Sequence, residues 1–163
     1  MANEPQFQIF YRGVIAGAAG GLAEVAWVTL YAGFTGGNPA AVARGVTTAA
    51  GVSAALPASP VWLGVAVHML LAVALGLVLA YAWTASCDRW PILNNPYPFT
   101  LTALTGIWAV NFFVVLPIVS PAFVHMVPYA VSLASKLLFG LAAAATLQWQ
   151  PTSRLLQLQN RRG

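Results

Sequence analysis

The sequence predicts an all-α integral membrane protein: four transmembrane helices in a bundle, with an additional short interfacial or re-entrant helix between the first two spans. Three observations carry this reading. Of 163 residues, 60% are apolar and only 6% are Asp, Glu, Lys or Arg, whereas about a quarter are charged in soluble domains. The mean hydropathy is +0.77, so too few polar side chains exist to cover a folded surface in water. The charges fall at Glu4, Arg12, Glu24, Arg44, Asp88, Arg89, Lys136, Arg154, Arg161 and Arg162, and long uncharged runs separate them. At about 20 residues per crossing the length allows four spans or a fifth, in a single transmembrane domain over 1–163 with no room for an appended soluble one.

The first span is expected from about Gly13 to Phe34. Glu24 interrupts this run, so a cleavable signal peptide is not expected. Between Gly36 and Pro60, Asn38 followed by Pro39 forms an N-cap and first-turn pair, and Pro57 is expected to stop the Ala-rich helix that follows. Arg44, Thr47, Thr48 and Ser53 make that helix too polar for an ordinary span, although a fifth crossing is the alternative. The second span runs from about Val61 to Thr84 and the third from about Phe99 to Val119, after the turn signal Asn94, Asn95, Pro96 and Pro98. A fourth is expected from about Phe123 to Trp149, with Pro128 either kinking its first turns or marking its start. A basic tail, 150–163, follows. An open sheet would leave backbone groups unpaired in lipid, so the spans must be helices.

Four spans place Arg12, Arg89, Arg154, Arg161 and Arg162 on one side and Arg44 on the other, so both termini are expected in the cytoplasm. The expected location is a bacterial inner membrane. Tyr11, Tyr81, Trp83, Trp90, Tyr97 and Trp149 then mark the inner boundary, and Tyr31 and Trp62 the outer one. Ser59-Pro60 and Ser120-Pro121 precede the second and fourth helices, and Val67 to Met69 repeats as Val124 to Met126. The two alignments need different registers, so a duplicated hairpin is only weakly signalled.

Each span carries one residue that a bilayer disfavours: Glu24, His68, Asn111 and Lys136. Glu24 lies about 12 residues, roughly 18 Å, beyond the inner boundary, and Lys136 reaches a similar depth from the other side. Gly13, Gly17, Gly20 and Glu24 share a helix face, and glycine lets a second helix approach, which turns Glu24 toward protein. Gly64, His68, Ala72 and Gly76 repeat the pattern in the second span, and Ser132, Lys136, Gly140 and Ala143 in the fourth. An isolated charge at the bilayer centre costs about 2.5 to 3.5 kcal/mol, so Glu24 and Lys136 are expected to pair, with His68 and Asn111 bonding into the cluster. Such a cluster is either a clasp that fixes helix partners or a proton or substrate site.

Other chemistry finds little support. His68 and His125, the only histidines, could ligate haem or, with Met69 and Met126, copper, but their expected depths differ by several ångström. No cofactor and no metal is therefore expected. Cys87 is the single cysteine, so no internal disulfide forms. The glycine-rich first helix lacks the strand and Lys-Ser/Thr ending of a phosphate-binding loop. Asp88 beside Arg89 is read as solvated, and no basic stripe interleaved with aromatics points to nucleic acid. The expectation is a non-enzymatic accessory or structural subunit of a larger membrane complex, respiratory or photosynthetic, without its own redox centre. Its partners would be the lipid bilayer and other membrane subunits. The alternative is a small homo-oligomeric transporter or channel using the midplane polar cluster.

Overall fold

A computed structural model of the chain describes residues 6–53, 61–89 and 95–149. Every element among them is helical: α1 Gln6–Thr35, α2 Pro39–Ala49, α3 Val61–Arg89, α4 Pro96–Val110, a π-helical turn Asn111–Val115, α5 Leu116–Val119, α6 Pro121–Met126 and α7 Tyr129–Gln148. Four stretches are long and apolar enough to cross a membrane: Gln6–Thr35, Val61–Cys87, Pro96–Val119 and Tyr129–Gln148.

Local chemistry explains the boundaries. At the end of α1, Gly36 takes φ 69° and the Gly37 N–H returns to the Ala32 carbonyl at 2.8 Å, a helix stop that needs a residue free to adopt the left-handed conformation. Asn38 then caps α2, its side chain accepting the Ala40 N–H at 2.9 Å, with Pro39 in the first turn. This helix ends at Ala49 rather than at Pro57, because Gly51 turns the chain at φ 74°. Its 11 residues rise only about 16 Å, too little for a fifth crossing of a core about 30 Å thick. Pro57, Ser59 and Pro60 lie outside the described residues.

The second span continues past Thr84 to Cys87. The third starts earlier than Phe99: Asn95 accepts the Tyr97 N–H at 3.0 Å, and Pro96 occupies the first helical position, where its missing N–H costs nothing. Further along, Pro117 cannot donate to a carbonyl four residues back. The preceding Leu116 N–H reaches instead to the Asn111 carbonyl, which opens the π-turn. The fourth span is shorter than 123–149. Val127, held extended at φ −127° and ψ 123° by the proline that follows it, separates α6 from α7. Pro128 precedes the true start at Tyr129.

α1 packs against both α3 and α7, α4 packs against α7, and α2 lies on α3 with edges touching α1 and α6. A buried cluster of Ala16, Ala72, Leu79, Ala80, Leu104, Phe139, Ala143 and Leu147 joins the four spans at the end where α1 begins, with Trp83 and Phe99 packed on it. In lipid, close van der Waals contact and interhelical hydrogen bonds must hold helices together. Both occur. A Cβ on Gly76 would collide with the backbone of Gly13 and Gly17, and one on Gly20 would lie 2.6 Å from the Phe139 ring. Thr100 donates to the Gly140 carbonyl at 3.0 Å, the Trp27 indole to the Val131 carbonyl at 3.0 Å, and the Trp108 indole to the Ser132 hydroxyl at 2.9 Å.

Candidate functional site

The buried face of α1 runs through Gly13, Gly17, Gly20, Gly21 and Glu24. The glycines draw α3 and α7 in so tightly that Glu24 has no route to solvent, and the residue is 3% exposed. One carboxylate oxygen, Oε1, lies 2.7 Å from the Lys136 ammonium on α7 and also accepts the Ser135 hydroxyl at 3.1 Å. The other, Oε2, faces His68 Nε2 on α3 at 3.6 Å, too far for a hydrogen bond. That imidazole nitrogen is buried and has no hydrogen-bond partner. The ammonium of Lys136 also stands 5.8 Å from the centre of the Phe139 ring, within the range of a cation–π contact.

Three of the four midplane residues expected from the sequence therefore meet. Asn111 does not join them. Thr100 pairs with Gly140 and Trp108 with Ser132, so α4 and α7 run antiparallel with Leu104 level with Lys136. Asn111 lies a further seven residues along, about 10 Å nearer the α2 end. It stands on a helix that packs on α7 rather than on α1. Its notable contact is through the backbone, as the acceptor that opens the π-turn.

The packing glycines divide by partner. Gly13, Gly17 and Gly76 form the α1–α3 crossing, Gly20 receives Phe139, Gly140 lies against Leu101 and Leu104 of α4, and Gly64 abuts Ala43 of α2. The shared faces expected for α3 and α7 are thus split. Gly64 serves α2 while Ala72 and Gly76 serve α1, and Ser132 bonds to α4 while Lys136 bonds to α1. His125, on α6, is exposed, whereas His68 is half-buried beside Glu24.

Two contributors escaped the sequence reading. Ser135 is offset from the Ser132–Lys136 stripe, but adjacent residues on a helix diverge by about 100° and straddle a groove, so a group inserted between α7 residues 135 and 136 touches both. Trp27, one turn above Glu24, uses its indole N–H to fix α1 on α7. A serine next to an intramembrane lysine, and a tryptophan three residues after an intramembrane glutamate, were the available signals.

Chemically, the site is a carboxylate neutralised by an ammonium, with an imidazole in reserve. The side chains of Lys136 and His68 are 22% and 25% exposed, so the buried member is the anion and the partly open edge carries donors. Among the described residues no group of three or more His, Cys, Asp or Glu gathers. Comparison of the chain with family models, curated proteins and solved structures finds no match.

Proposed function

We propose that this chain is a small multi-pass membrane protein that acts as an accessory or structural subunit of a larger membrane assembly, with Glu24 and Lys136 as the clasp that sets which of its helices are neighbours. The observation that carries the proposal is the completeness of the clasp within one copy. Glu24 is 3% exposed and its Oε1 is held by both Lys136 and Ser135, so the polar chemistry is spent on joining α1 to α7. A paired buried charge specifies partners better than apolar contact does, since any other arrangement strands an ion in lipid. The span Pro96–Val119 is the least buried of the four, which leaves it free to contact other subunits.

In this proposal the membrane is a bacterial inner membrane and both termini are cytoplasmic, in keeping with Arg12 and Arg89 at one end and Arg44 at the other. The short α2 lies at the outer interface, where a capped helix of 11 residues suits the boundary better than the core. Native purification in mild detergent tests the role: larger subunits in fixed ratio, lost when Lys136→Met disrupts the clasp, support it. Recovery of the chain alone from a fully solubilised membrane refutes it.

A second reading, a homo-oligomeric transporter or channel, is favoured by one observation. His68 Nε2 is buried without a partner 3.6 Å from Glu24, a cost of roughly 1–3 kcal/mol that a resting clasp does not require. Proton-dependent flux in vesicles that vanishes with Glu24→Gln, while the folded protein persists, would establish it.

A further inference from the structure

Above Glu24, toward the α2 end, the same face of α1 continues through Val28, Tyr31 and Thr35. These residues, with Asn38 and Val42 of the α2 segment and Val127 ahead of α7, line a cavity of about 160 Å³, open on one side. We infer that this cavity is a binding site for a small uncharged molecule with one hydrogen-bonding group, of the size and polarity of phenol. The inference goes beyond both readings above and depends on neither.

Volume sets the size. A cavity of about 150 Å³ lined by aliphatic side chains holds benzene, and this one is comparable. Its lining sets the polarity. Val28, Val42 and Val127 supply the apolar part, and no lining residue carries a formal charge, so an ionic ligand would leave its charge unpaired in a medium of low polarity. The polar rim sets the single functional group. Thr35 has donated its hydroxyl hydrogen to the Tyr31 carbonyl at 2.8 Å and keeps lone pairs to accept with. Asn38 uses its carbonyl oxygen on the Ala40 N–H at 2.9 Å and keeps its NH₂ to donate. An apolar body with one hydroxyl satisfies both surfaces, in the usual pattern of a pocket with a few placed polar groups. α2, an 11-residue helix between left-handed glycines at 36 and 51, forms one wall. Val28 stands four residues from Glu24 and Thr35 eleven, so the cavity begins about 6 Å along the helix axis from the carboxylate's level and its occupant would not replace Lys136 there.

The test uses the full chain in lipid nanodiscs with labelled methyl groups and phenol as the probe. Saturable shifts confined to the Val28, Val42 and Val127 methyls are expected, on top of the uniform, non-saturating drift caused by phenol dissolved in the bilayer. Val42→Phe, which fills the cavity, should remove the saturable part, while Val78→Phe on the exposed face of α3 should retain it. Unchanged Leu79, Leu104 and Ala143 methyl signals show that each variant is folded. Drift alone in the unsubstituted chain overturns the inference, as does a saturable response that survives Val42→Phe in a folded variant. Either result leaves the assembly and flux experiments unaffected, so the site fails independently of the functional readings.

Discussion

Removing Lys136 should cost more than removing Glu24, although each substitution breaks the same ion pair. The asymmetry follows from burial. Glu24 is 3% exposed, so Lys136→Met strands a carboxylate that retains only the Ser135 hydroxyl and an imidazole at 3.6 Å. Breaking a buried pair in this way costs about 3–5 kcal/mol, and a lone charge at the bilayer centre about 2.5–3.5 kcal/mol. About 3 kcal/mol is the expected loss. With Glu24→Gln the amide oxygen still accepts from Ser135, and the lysine, 22% exposed, can extend its stem toward the interface. A loss of about 1.5 kcal/mol is expected there. Independent effects would sum to about 4.5 kcal/mol, yet the double variant strands no charge and should lose only about 2 kcal/mol, a coupling of about 2.5 kcal/mol. Unfolding in mixed micelles with increasing dodecyl sulfate, followed by tryptophan fluorescence, measures all four corners of this cycle. Equal losses for the two single variants, or a double variant matching their sum, would refute the clasp.

The remaining predictions concern packing, hydrogen bonds and sidedness. Gly17→Val places carbon against the Ala72 carbonyl and Val73 Cα, where neither can yield, and should cost about 1–3 kcal/mol in the same unfolding assay; Gly33→Ala, which meets nothing within 4 Å, should be neutral within about 0.5 kcal/mol. Thr100→Val removes the 3.0 Å bond to the Gly140 carbonyl and should cost about 0.6 kcal/mol, the average for such bonds in membrane helices. Pro117→Ala restores a donor and should convert the π-turn to regular helix, rotating Phe112 and Phe113 away from the Trp108 and Tyr129 rings with which they stack; a change in near-ultraviolet circular dichroism checks this. In a Cys87→Ser background, Ala85→Cys and Thr35→Cys should react with an impermeant maleimide from opposite sides of the membrane, Thr35→Cys from outside intact cells.

Depth within the membrane and the meeting of the first span with the fourth were legible in this sequence, and the rest of the lateral order was not. Each residue advances a helix by about 1.5 Å, so counting from capped or charged ends brought Glu24 and Lys136 to one level, and the cost of isolated charge required that they meet. The same counting failed for Asn111 because span ends do not fix the register between two helices. The Thr100–Gly140 and Trp108–Ser132 bonds put Leu104 rather than Asn111 level with Lys136, which leaves Asn111 about 10 Å from the pair. An error of direction compounded the error of depth. A run of apolar residues in lipid has no strongly polar face to show which side meets protein, so nothing in the string places α7 between α1 and α4. Trp108 depends on that hidden order, since its bond to Ser132 joins α4 to α7; Ser135 and Trp27 join α1 to α7, where the charges announce the partner but not which neighbouring side chains face it. Glycine was the partial exception. Its close approaches at 13, 17 and 76 mark where backbones touch, yet they name no partner, and Gly64 turned out to serve α2. The neighbours of α1 follow only once the pair is made: α7 because it carries the counter-charge, α3 because its glycine fits those of α1, and α4 on α7 where Thr100 finds a carbonyl beside Gly140. The ion pair thus accounts for one helix order among several that apolar packing alone would permit, which is why the double variant, though relieved of its stranded charge, should not recover the full stability of the original chain.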